Sequence, residues 1–274
     1  MKKAFLLMAV AAGMASAASC AKEAPKVLVL YYSQTDNTKT VAEEIASLLG
    51  ADIEEIVSEN PYDGDFKATI DRCLKEREEG VLPEVKPLQA DLAGYDIVFL
   101  GYPVWFGTYA PPVISMLSQI DLGGKKVVPF CTFGSGGLES SVEDLKEAQP
   151  KAEVLEGYGV RAARMEAAPR EIKRFLIAGG FLQGEYVKPA EFPESHPVSE
   201  EESAIFDAAV DGYPMLNAKA VAVAMREVED GQEYLFTAKD QPRDDRGDMP
   251  PAGELKVYVL VESGVAPVFT RVVR

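Results

Sequence analysis

The sequence predicts an α/β fold, a doubly wound parallel sheet with helices on both faces, followed by a small α+β domain with an antiparallel sheet. Three observations carry this reading. From residue 26 onward, short apolar runs alternate five times with helical stretches, the order expected of consecutive β/α units. The apolar runs are nearly continuous, as strands covered on both faces are. After about residue 184 the composition turns to Pro, Glu and Ser, and the rest reads as one helix and several alternating strands.

The elements follow in order. VLVLYYS (27–33) is a buried strand, and TKTVAEEIASLLG sets Val41, Ile45 and Leu48/Leu49 on one helical face before stopping at Gly50. DIEEIV (52–57) is a second strand and FKATIDRCLKEREEG a helix with a charged outer face. DIVFLGYPVW (96–105) is a third strand, and APPVISMLSQI a helix whose prolines fall in the first turn, where a missing N–H costs little. KKVVPFCTF (125–133), a glycine loop and LESSVEDLKEA come next, then VLEGYGVRA and the amphipathic APREIKRFLIAGG. KPAEFPESHPVSEEE reads as a linker and SEEESAIFDAAVDG as a helix. AKAVAVAMREV, QEYLFTA, GELKVYVLVE and APVFTRVV read as antiparallel strands, with a hairpin turn at Asp230-Gly231. The expected domains are 25–183 and 200–274, joined by 184–199 and preceded by a targeting segment over 1–20.

That targeting segment is Lys2-Lys3 followed by an apolar stretch ending in small residues, the pattern of a secretory signal. It is short for a membrane span, which needs about 20 residues. Two cleavage readings stand. Ala15-Ser16-Ala17 fits an ordinary signal-peptidase site, whereas Ala17-Ala18-Ser19-Cys20 resembles a relaxed lipobox in which Cys20 becomes the lipidated first residue. The expectation is export to the periplasm or cell envelope, with membrane attachment only through a lipid at Cys20. The formal charge of −16 argues against nucleic acid and anionic membrane surfaces as partners. It suits a redox protein partner bearing a basic patch. Beyond Cys20 only Cys73 and Cys131 remain, and His196 is the single histidine. The expectation is two buried thiols rather than a disulfide, and neither a metal site nor a histidine triad.

Ligands of doubly wound sheets bind beyond the carboxyl ends of the strands, so the loops after strands one, three and four matter most. The first, Ser33, Gln34, Thr35, Asp36, Asn37 and Thr38, joins a strand to a helix and contains no lysine. Backbone N–H groups and the dipole at a helix N-terminus favour an anion, and hydroxyls add donors. Six consecutive small polar residues exceed what a helix cap needs, so a phosphate monoester held by neutral dipoles is expected. The second loop gathers Tyr102, Trp105, Phe106 and Tyr109 around Gly107, a surface for stacking a flat ring. The third, CTFGSGG (131–137), offers a hydroxyl and glycines that allow close backbone approach. Together they describe a site for a mononucleotide with a planar ring.

VLVLYYSQTDNTKTVAEEIA, GYPVWFGTYAPPV and GKKVVPFCTFGSGG resemble the three FMN-binding loops of the flavodoxin family. The resemblance covers about residues 25–183. It implies a five-stranded sheet of order 2-1-3-4-5 and FMN as cofactor. It also implies that Ser33 to Thr38 hold the phosphate. Pro103, Val104, Trp105, Phe106 and Gly107 would flank the isoalloxazine, with Trp105 stacked on it. Thr132, Phe133, Gly134, Ser135 and Gly136 would contact the pyrimidine edge and ribityl chain. Asp36 stands where the family usually has glycine. Aspartate tolerates left-handed backbone better than most residues, but a carboxylate beside a phosphate dianion weakens binding unless it points away. The C-terminal strands resemble the cystatin-like fold more loosely. These features imply an FMN electron carrier without catalytic side chains. The alternatives are an FMN-dependent NAD(P)H quinone or nitro reductase, and a flavodoxin-like binding module that has lost FMN.

Overall fold

The computed structural model describes residues 24–241 and 253–274. The targeting segment, with Cys20, lies outside the described residues.

The N-terminal domain is the expected three-layer α/β sandwich. Strands β1 (Val27–Tyr31), β2 (Asp52–Glu55), β3 (Ile97–Trp105) and β5 (Lys126–Phe133) run parallel, β3 turning back into the short antiparallel β4 (Thr108–Tyr109). The fifth strand is split into β6 (Glu153–Val154) and β7 (Tyr158–Arg161), which pair with the two ends of β5. The order is β2-β1-β3-β5 and then β6 with β7, which, leaving out the antiparallel β4 and counting β6 and β7 as one, is the expected 2-1-3-4-5 of the parallel strands. The split shows that VLEGYGVRA is not one uninterrupted strand, because Glu156 and Gly157 interrupt it after the Leu155 amide makes its last bond to β5, to Val127 O at 2.8 Å.

Side-chain alternation along the strands sends residues to two cores. Leu28 and Leu30 of β1 face one core, shared with Val98, Leu100 and Tyr102 of β3. Val29 and Tyr31 face the other, with Phe99 and Phe130. Helix α1 (Asn37–Leu49) covers the second core with Val41, Ala42 and Ile45, and stops at left-handed Gly50. Helix α5 (Ala168–Ala178) adds Ile172 and Leu176 to that face. On the opposite face lie α3 (Pro111–Leu117), with Val113 and Met116, and α4 (Leu138–Ala148), with Leu145. Helix α2 (Phe66–Glu79) is capped by Asp65 and buries Cys73. Cys73 and Cys131 are both free and buried, as the sequence suggested.

The C-terminal domain packs helix α6 (Glu200–Val210) against a five-stranded sheet of order β12-β11-β10-β9-β8. Its strands are β8 (His196–Pro197), β9 (Ala218–Val228), β10 (Gly231–Asp240), β11 (Glu254–Val261) and β12 (Val268–Val273). The expected hairpin at Asp230-Gly231 joins β9 to β10. The Pro/Glu/Ser segment is more than a linker. His196 and Pro197 pair with β9, and Arg226 donates to Ala190 O while stacking 4.2 Å from the Phe192 ring.

Three arginines of the sandwich contact this domain directly. Arg174 donates both Nη groups to Asp230 at 2.8 and 3.0 Å, Arg170 donates to Glu262 at 2.7 Å, and Arg161 donates to Phe269 O at 3.0 Å. The Arg174 fork holds the Asp230 carboxyl below the usual aspartate range. A carboxyl depressed on docking stabilises the interface at pH above its free value and loses that contribution as pH falls through the folded value. Acidification below the ordinary aspartate range is therefore expected to loosen the hairpin tip first. Amide exchange at residues 228–231 should rise in acid relative to the core of β10. Asp230→Asn should exchange fast at every pH.

Candidate functional site

A parallel sheet sends all of its strand-to-helix loops out at one edge, and the three expected segments meet there. The contact that joins the first to the third is a hydroxyl pair. Thr38 Oγ1 lies 2.8 Å from Thr132 Oγ1, and both side chains are buried, at 1% and 5% exposure.

In the first segment the polar side chains divide their work. Gln34 accepts from the Tyr32 hydroxyl and donates to Tyr62 O, both at 2.6 Å, so its amide braces the loop. Ser33 Oγ accepts the Lys39 N–H at 3.3 Å. Thr35 is exposed, with Asn37 Nδ2 at 3.4 Å from its hydroxyl. Asp36 has φ +59°, the left-handed conformation for which glycine is the usual choice, and its exposed side chain caps no N–H of α1. In the first turn of this 13-residue helix Ser33 thus takes the Lys39 N–H while Asp36 caps none, so the N–H groups of Asn37 and Thr38 can receive an external anion.

The second segment is a β-hairpin. Val104 pairs with Tyr109 and Trp105 with Thr108, so Phe106 and Gly107 form the two-residue turn, with φ of +53° and +87°. Positive φ at both central residues is the turn geometry that matches strand twist. The Ser140 hydroxyl donates to Gly107 O at 2.6 Å and fixes the tip to α4. Only two of the four aromatics form a surface. Tyr102 and Tyr109 are buried core residues, edge to face at 5.5 Å, because they point into the sheet–helix layer. Phe106 is 51% exposed beneath the Arg77 guanidinium, and Trp105 is half-buried. The Trp105 ring is steadied edge-on by Tyr32 (6.1 Å) and Tyr62 (5.2 Å). Burial, with Glu76 at its hydroxyl, pushes the Tyr62 pKa far up, so the Tyr62 hydroxyl keeps its proton at neutral pH.

In the third segment Thr132 and Phe133 end β5 inside the core, whereas Gly134, Ser135 and Gly136 emerge. Gly137, with φ +112°, packs so closely on Val104 that a Cβ would overlap its Cγ1. That contact joins the third segment to the second. Pro103 sits at the end of the β3–β5 ladder opposite Thr132. All sixteen residues singled out from the sequence therefore lie along one edge.

Comparison with known proteins agrees with this geometry. The sequence profile of a family described as Flavodoxin matches residues 26–172. The chain belongs to the flavodoxin family. Among solved structures, a candidate flavoprotein from Bacteroides eggerthii is 28% identical, with 57% of this chain and 98% of that one aligned and a TM-score of 0.50. A second, from Bacteroides uniformis, is 27% identical, covering 54% and 98% of the two chains with a TM-score of 0.48. A flavoprotein from Lactobacillus acidophilus in complex with FMN is 30% identical, covering 50% and 93%, with a TM-score of 0.45. No curated protein matches the chain.

FMN is the cofactor of the flavodoxin family, and the donor set here fits it. A helix terminus whose N-cap side chain takes none of its N–H groups, a braced neutral tryptophan and a glycine-rich backbone segment are what a phosphate, a flat ring and a polar ring edge require. Sequence reading missed Tyr62, which comes from the segment after β2 and braces both Gln34 and Trp105. It also missed Arg161, whose Nε donates to Gly134 O at 2.8 Å. An arginine ending an otherwise apolar strand was the available signal for Arg161.

The Thr38–Thr132 pair makes a double-variant test. Thr132→Val strands the buried Thr38 hydroxyl and should cost about 1–3 kcal/mol, whereas replacing both threonines by valine should recover most of that loss. Urea unfolding of the apoprotein, followed by its single tryptophan, measures both. A double variant no more stable than the single would refute the pairing.

Proposed function

We propose that this flavodoxin-family chain is an FMN-binding electron-transfer protein of the bacterial cell envelope. The observation that supports it best is the meeting, at one sheet edge, of a helix terminus that Asp36 leaves open, a braced aromatic hairpin and a glycine loop. Bound FMN would supply the reversible electron chemistry, and the chain would supply grip, orientation and exclusion of water. The backbone N–H groups at the start of α1 and the Thr35 hydroxyl hold the phosphate. Trp105, fixed between Tyr32 and Tyr62, covers a ring face and keeps water from it. Gly107, at a tip pinned by Ser140, presents backbone rather than side chain to the ring. No side chain in these loops has to move a proton.

The N-terminal signal pattern supports an envelope location, with Cys20 as the lipid-bearing residue. The formal charge of −16 supports a redox partner that presents a basic patch, since opposite fields speed encounter. Among the described residues no helix is long and apolar enough to cross a membrane.

Titration of the purified protein with FMN tests the reading. Quenched flavin fluorescence and a perturbed visible spectrum at equimolar FMN are expected. Asp36→Gly should tighten binding about fivefold, because it removes a negative charge near the phosphate whose repulsion is about 1 kcal/mol. Rapid oxidation of NADPH by the loaded protein would turn the assignment to a reductase. Failure of both forms to quench FMN would sink it.

A further inference from the structure

The third loop is held by donors that it does not itself contain. Arg161, at the end of β7, donates Nε–H to Gly134 O at 2.8 Å and Nη1–H to Phe269 O at 3.0 Å. The Val272 amide, on the edge strand β12 of the C-terminal sheet, donates to Ser135 O at 2.6 Å. An exposed sheet edge leaves such groups unpaired, and here the loop of the sandwich takes that place.

The geometry leaves little freedom. Arg161 is 6% exposed, and its guanidinium lies 3.4 Å from the Phe269 ring centroid and 5.1 Å from that of Tyr213. Burial lowers its pKa to about 10, which leaves the cation intact at neutral pH. A buried cation is costly unless it is hydrogen-bonded, so moving the loop away would strand it. The glycines of the loop are explained by the same contact. A Cβ at Gly136 would overlap the Val272 carbonyl oxygen, and one at Gly134 would lie 3.0 Å from the Tyr213 hydroxyl.

We infer that Arg161 and the edge of β12 are positioning elements of the flavin site, fixing the peptide units of residues 134–136 and making the C-terminal domain a structural part of that site. The inference rests on the FMN reading above. Its consequence is reciprocal: whatever ligand orders the loop must also tighten the docked strand, and the reverse.

FMN titration of the full chain and of Arg161→Met and Arg161→Lys, with visible spectra and midpoint potentials, provides the test. Arg161→Met should bind FMN about tenfold more weakly or worse, the scale of one lost charge-assisted hydrogen bond. Its flavin spectrum and potential should shift, and Arg161→Lys should restore part of each. If Arg161→Met does not fold, hydrogen exchange of the wild type decides. FMN loading should slow exchange of the Val272 amide at least about tenfold, the reciprocal of the same coupling. A folded Arg161→Met with wild-type affinity, spectrum and potential would overturn the inference and leave the FMN assignment standing, as would Val272 exchange indifferent to FMN. A wild type that takes up no FMN would remove the assignment itself, and the inference with it.

Discussion

Parallel pairing forces every strand-to-helix connection of the sandwich out at the carboxyl edge of the sheet, and the rest of the molecule is arranged around that edge. Residues 33–38, 103–107 and 132–137 are far apart in sequence, yet the order of β1, β3 and β5 makes them neighbours. The buried hydroxyl pair of Thr38 and Thr132, the Val104–Gly137 contact and the Ser140 bond to Gly107 turn that adjacency into fixed geometry. Each of these is local and polar or tightly packed. Together they preorganise a site whose cost of ordering is met during folding rather than on binding.

The same edge also carries the C-terminal domain. Glycine in a loop of this kind is read most simply as room for a ligand. At Gly136 the room is filled by the Val272 backbone, and at Gly134 it is bounded by Tyr213. One short segment thus meets two demands: its residues end a strand of the sandwich, and its carbonyls complete the edge of a second sheet. This explains why a cation as awkward to bury as Arg161 stands at the end of β7, since its forked donors satisfy two carbonyls from different domains at once.

What the sequence revealed, and what it hid, follows from the range of the interactions involved. Apolar runs, Gly50 and the polar and glycine-rich loop segments are local signals, and they gave the α/β class and all three loops, while the strand order was what the resemblance to the flavodoxin family implied. The left-handed backbone at Asp36 was likewise readable, because aspartate and glycine share that conformation more readily than other residues. The split of the fifth strand was not, since it depends on which part of β5 each half meets. Nor was the role of Tyr102 and Tyr109, because whether an aromatic lines a surface or fills a core is settled by the layer it faces. The contacts of Arg161 with Phe269 and of Ser135 with Val272 span more than 100 residues, and no periodicity encodes them. His196 reads as linker for the same reason: its strand exists only through its partner Val223.

Asp36 brings these threads to one residue. Its left-handed backbone costs about 1–2 kcal/mol relative to an ordinary conformation, while a negative charge at a helix N-terminus returns about 0.3–1 kcal/mol. The second offsets part of the first, so the residue is tolerable in the absence of any ligand even though it makes no capping hydrogen bond. A phosphate at the same terminus draws on the same field and on N–H groups that the carboxylate leaves vacant. The fixed charge and the cofactor's charge therefore compete electrostatically without competing for donors. A glycine would relieve both the strain and the repulsion, whereas aspartate makes the chain's hold on FMN depend more heavily on the aromatic wall and on the loop that the second domain holds in place.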